Sequence, residues 1–132
     1  MKKRLVITLL LSSVLFSSPS YGEWTHSFTH PKFGYDVYID FDKIKKRGDN
    51  VYFWTLSDLL TPASTGKMSL KYLVRGDCNN FYFSNLTSTS YVLPMGEGYG
   101  ESTTLSEHFQ NIEYPPTTGN NMKSVIKSVC NY

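Results

Sequence analysis

The chain is 132 residues long, 15% aromatic and 18% charged, with a formal net charge of +2. Of its 13 basic residues, three are Lys2, Lys3 and Arg4, so the remainder sets ten basic residues against 11 acidic ones. One domain's length and a near-neutral body exclude a multi-domain assembly and a global basic field of the kind that binds nucleic acid or an anionic membrane.

The first predicted element is a leader. Behind the basic start, residues 5–16 are apolar except for Thr8, Ser12 and Ser13, and Ser17-Ser18-Pro19-Ser20-Tyr21-Gly22 follows. That order is a secretory signal peptide: the basic start stays in the cytoplasm, the apolar stretch is recognised as a nascent helix, and Pro19 ends the helix before the peptidase site. Cleavage is expected after Gly22. A retained anchor would need roughly 20 apolar residues, and this stretch is shorter. Residues 23–132 then form one exported domain, periplasmic or secreted, with no lipid-accepting cysteine at Glu23 and no later stretch able to span a bilayer.

From residue 23 the chain is rich in aromatic and β-branched residues cut by turn signals, the pattern of an antiparallel sheet. Residues 23–29 read as a first strand. Pro31-Lys32-Phe33-Gly34 reads as a turn, and residues 35–41 alternate polar and apolar as a half-buried strand does. Residues 42–50 are polar and basic, and are expected to hold a helical turn or a loop. Val51, Tyr52, Phe53 and Trp54 leave no polar face, which places their strand centrally. Residues 59–65 form a connection, and alternation returns at residues 67–72, with Cys78 at the end of that strand. Asn79-Asn80 suits a tight turn before a long strand over residues 81–91. Residues 94–100 are glycine-rich and expected to be flexible, and residues 101–113 are assigned to a further edge strand.

Pro115-Pro116 stops any strand, and the period then changes: Met122, Val125, Ile126 and Val129 recur as one helical stripe. Thr118 or Asn120 can cap this helix. Cys78 and Cys130 are the chain's two cysteines. In an exported protein a disulfide is the economical reading, since a redox pair would stand closer and a structural zinc would want four ligands. Cys130 lies on the apolar stripe, so the helix lays that stripe on the sheet with its sulfur toward Cys78. The fold class that follows is α+β, an antiparallel β-sheet with a C-terminal α-helix packed on it and tied by a disulfide.

No paired carboxylates, nucleophile elbow, metal-ligand cluster or phosphate loop has the spacing its chemistry requires, so the sequence predicts neither an enzyme nor a cofactor. His26, His30 and His108 read as surface histidines, and Gly96-Glu97-Gly98-Tyr99-Gly100 as a loop tip without the helix start a phosphate site needs. Asn85-Leu86-Thr87 matches a glycosylation acceptor but falls inside a predicted strand. Lys43, Lys45, Lys46 and Arg47 form a basic cluster that can meet acidic groups on a partner, a sulfated glycan or a carboxylate patch; the alternative is a solvated face that guards a sheet edge. Arg-Gly-Asp occurs twice, at 47–49 and 75–77. Receptors read that tripeptide on exposed tips, but glycine beside charge is also what turns use.

Together, Tyr38-Ile39-Asp40, the 42–48 stretch with Ile44 and its lysines, Tyr52-Phe53-Trp54-Thr55-Leu56-Ser57-Asp58, Asp77-Cys78 and the closing Ser128-Val129-Cys130 resemble the bacterial surface-adhesin protein E family. The resemblance spans almost all of residues 23–132. It implies a non-enzymatic binding module for host extracellular proteins, on the same sheet, helix and Cys78–Cys130 tie. The family's namesake is a lipoprotein and Glu23 accepts no lipid, so a soluble periplasmic housekeeping or inhibitor-like domain binding an envelope protein is the alternative. Exposed strand edges leave homodimer pairing open.

Overall fold

The computed structural model describes residues 24–115 and 121–132. The expected leader and the helix caps at Thr118 and Asn120 lie outside these residues. Six strands, β1 (Trp24–Thr29), β2 (Asp36–Arg47), β3 (Asn50–Asp58), β4 (Ser69–Asp77), β5 (Phe83–Tyr91) and β6 (Gly100–Thr104), form one antiparallel sheet in chain order. Two helices follow, α1 (Glu107–Gln110) and α2 (Met122–Cys130). Each strand pairs with its sequence neighbour, so short turns suffice to connect them.

The core lies between one sheet face and α2. Ile39, Val51, Phe53 and Val74 alternate inward along β2, β3 and β4 and meet Val125, Ile126 and Val129. Those three helix residues are the stripe predicted from periodicity, and each contributes about 2 kcal/mol by burial. A glycine makes the approach possible: a Cβ on Gly76 would lie 3.3 Å from both Ile126 Cγ1 and Val51 Cγ1. Cys78, one residue beyond β4, bonds Cys130 at a Cα separation of 5.9 Å, inside the range a disulfide spans. The α+β fold with its C-terminal helix and disulfide is thus as expected.

Three local expectations are corrected. Residues 42–50 are not a helical turn or loop: β2 runs on to Arg47 and turns into β3 through Gly48 and Asp49, with Arg47 opposite Asn50. Gly48 has φ 58°, the left-handed value that the first central position of a tight hairpin turn requires. Alternation fails there because pairing slips between Asp40↔Trp54 and Lys45↔Tyr52. Residues 41–44 all stand against Phe53, a large bulge of four residues against one that hides the strand's continuation from any period-2 reading.

Residues 94–100 are tied down rather than loose. Pro94–Gly96 form a 3-10 turn, Met95 N–H donates to Asp58 Oδ1 at 3.0 Å, and Gly96 N–H donates to Ser69 Oγ at 2.8 Å. The turn closes over Leu56, which is fully buried on the face away from α2. Last, the strand assigned to 101–113 covers only Gly100–Thr104; the rest turns into α1 and returns at Tyr114, whose backbone pairs with Phe83.

Two stability outcomes follow. Cys130→Ser opens a loop spanning 52 positions and should cost about 4 kcal/mol in the chain-entropy account, read as a lower urea midpoint with a steeper slope, since the freed chain exposes more surface when unfolded. Gly76→Ala should cost about 2 kcal/mol by overpacking against Ile126, and an unchanged melting temperature would refute that seating.

Candidate functional site

The sheet face away from α2 is covered at one end by the 3-10 turn over Leu56, and α1 reaches it through Arg75, which lies on the Tyr52 side of β4 and donates to the Gln110 carbonyl. At the other end, beside the β2–β3 hairpin, it forms a groove of about 600 Å³. Tyr52 and Trp54 of β3, Leu73 of β4 and Leu86 of β5 make its floor, and Lys43, Lys45 and Arg47 stand along one wall, with Asp42 the acidic residue at the rim. The bulge produces this wall, because it resets the phase of β2. Lys45, opposite Tyr52, and Arg47, opposite Asn50, then face the groove, whereas Lys46, opposite Val51, faces the helix side. Of the four residues in the predicted cluster, three line the groove and Lys46 lies apart, beside Phe41 and Tyr132.

One strand further back, the row Trp24↔Asp40↔Trp54 crosses β1, β2 and β3. Lys71, on the same face of β4, holds its ammonium 4.4 Å from the Trp54 ring centre and 5.9 Å from that of Trp24. Such contacts bind a cation the more strongly as it loses water. Burial, followed by the nearby charge of Lys43, holds the Lys71 pKa below the ordinary lysine value, against the opposing pull of Asp40. The Asp40 carboxylate is only 1% exposed. It accepts the Asp42 N–H at 3.1 Å and has Lys43 Nζ at 3.9 Å, so this charge is already engaged with the bulge.

Lys71, Trp24 and Trp54 were not singled out in the sequence as site residues. Their signal was present in part: alternation over 67–72 puts Lys71 on the polar side of its strand, but only the register with β3 brings it over Trp54. A second groove, about 620 Å³, lies on the helix side among Phe28, Tyr35, Tyr72, Phe83 and Asn85. Burial raises the pKa of both tyrosines, and at Tyr35 the neighbouring charge of Tyr72 raises it further. Its lining is aromatic and polar, with Lys32 at its rim.

The histidines serve local structure. His30 Nδ1 accepts the N–H groups of Lys32 and Phe33 and its ring stacks on Tyr35, which fixes the β1–β2 turn. His26 pairs with Asp36 at 3.1 Å, and Thr29 donates to the same carboxylate oxygen at 2.6 Å; these bonds hold the Asp36 pKa below its ordinary value. Among the described residues, no three His, Cys, Asp or Glu side chains gather where they could hold a metal. The two Arg-Gly-Asp copies differ in kind. Arg47-Gly48-Asp49 is exposed at the hairpin tip, whereas Gly76 of the second lies under Ile126, Arg75 donates to the Gln110 carbonyl, and Asp77 accepts the N–H of Asn79.

The Lys71 environment is open to direct measurement. Lys43→Met removes one of the two influences that depress Lys71, so its ammonium should titrate closer to the ordinary lysine value, while Asp40→Asn should move it further down. Side-chain NMR titration reads both shifts, and identical curves in all three proteins would contradict this assignment.

Residues 24–131 match the family model described as surface-adhesin protein E. A comparison with curated protein sequences finds no match. The selenomethionine form of Haemophilus influenzae protein E is similar at 14% identity and a TM-score of 0.58, covering 86% of this chain and 89% of that one. Crystal form II of the same protein is similar at 16% identity and a TM-score of 0.54, over 72% of this chain and 80% of that one. These structures share the fold, and the family match runs through every described strand and helix: the chain belongs to the surface-adhesin protein E family.

Proposed function

We propose that this chain is an exported, non-enzymatic protein-binding module, and that it docks a host extracellular or bacterial envelope protein through the groove beside the β2–β3 hairpin. The observation that carries the reading is the convergence of Lys43, Lys45, Arg47 and Lys71 around Tyr52, Trp54 and Trp24 on the sheet face opposite α2. Aromatic and arginine side chains are the residue types that anchor protein interfaces, and flanking charges steer a partner toward them. Membership in an adhesin family supports binding as the function. The geometry supplies a surface for it.

Lys45 and Arg47 are exposed at a hairpin end, so their reversal should leave stability within about 0.5 kcal/mol. The test is capture of partners from matrix proteins, plasma and an envelope extract, with the purified domain and its Lys45→Glu/Arg47→Glu variant compared side by side. Wild type should retain a partner that the variant loses at equal melting temperature. Equal retention by both proteins would move the docking surface elsewhere. Fractionation with protease applied to intact cells assigns the source: an exposed or released protein meets host partners, and a protected one meets envelope partners.

A further inference from the structure

We infer that the groove takes an acidic segment of its partner in extended conformation, with carboxylates at alternate positions and apolar or aromatic side chains between them. This rests on the groove being the docking surface. The first reason is spacing: Lys45 and Arg47 face the groove from alternate positions of one strand, about 7 Å apart, which is the repeat of same-side residues in an extended peptide. A peptide lying along the hairpin can therefore set successive carboxylates against successive cations.

The second reason is the floor. Tyr52, Trp54, Leu73 and Leu86 offer half-buried apolar surface that the intervening side chains of such a peptide can cover. A sulfated oligosaccharide has no comparable apolar groups for Leu73 and Leu86. The Lys71 ammonium also lies 4.4 Å from the Trp54 ring centre, where a stacked sugar ring would have to displace it. The third is charge: Lys43, Lys45 and Arg47 oppose Asp42 alone along the rim, and the Asp40 carboxylate is buried in its own contacts. The unbalanced charge is positive, and it sits where the floor is apolar.

The register supplies an internal control, since Lys46 points to the other side of the sheet. A diffuse basic field would use Lys45 and Lys46 equally; a seated peptide would not. The probe is a fluorescein-labelled peptide of alternating glutamate and tyrosine, followed by anisotropy, with heparin as the sulfated competitor and a lysine–tyrosine peptide as the opposite charge. Expected is binding that weakens with salt, falls about tenfold in Lys45→Glu/Arg47→Glu and is unchanged within about twofold in Lys46→Glu.

An equal loss in Lys46→Glu would overturn the inference, as would binding of heparin through Lys45 and Arg47 without binding of the glutamate peptide. If the peptide fails while partner capture still depends on Lys45 and Arg47, the acidic segment is wrong and the groove stands. If neither depends on them, both readings fall.

Discussion

The seat of Ile126 over Gly76 and Val51 is the contact on which the other features of this domain depend. A sheet of six neighbouring strands has two equivalent faces until something covers one of them, and here a nine-residue helix does so at one end only. Gly76 removes the side chain that would hold the helix away, and the bond between Cys78 and Cys130 prevents the helix from leaving. Both constraints sit within three residues of each other at the end of β4. They fix the helix where the β2–β3 hairpin turns, and the Cys78 N–H reaches the Asp49 carbonyl at 2.8 Å, joining the hairpin tip to the same node.

The second cover lies diagonally across the sheet. The 3-10 turn after β5 closes over Leu56 on the opposite face and at the opposite end, held by Asp58 and Ser69. Each face keeps a groove, a tyrosine-rich one on the helix side and the one walled by the hairpin cations on the other. Groove and core share the same strands, residue by residue: Phe53 and Val51 point into the core, while Tyr52 and Trp54 form the groove floor.

That sharing explains what was legible in the sequence. Where one side of a strand was polar, as over residues 35–41 and 67–72, alternation identified the strand. The stripe of Val125, Ile126 and Val129 identified the helix and its buried side, and cysteine arithmetic joined the two. In β3 both sides are apolar, one for the core and one for the groove, so Val51 to Trp54 read only as a central strand. The hairpin end escaped because its residues are exposed and charged and because the bulge at 41–44 breaks the period just before them. The basic cluster was visible as composition, but its division into Lys43, Lys45 and Arg47 on one side and Lys46 on the other is a matter of phase, which only pairing with β3 settles. Lys71 belongs to the groove through the same register, at a distance in sequence that local patterns do not reach.

The bulge has a consequence for how such a surface can vary within a family. Because residues 41–44 interrupt the pleat, the strand on either side of them keeps its own phase. Val37 and Ile39 point at the core ahead of the bulge, while Phe41 and Ile44 within it pack against the edge of the core, so a residue gained or lost there would rotate the wall of cations and move those two contacts with it. The phase of the hairpin end is thereby set separately from that of the strand before the bulge, so the charge pattern of this projecting end can change while Val37 and Ile39 keep their places in the sheet.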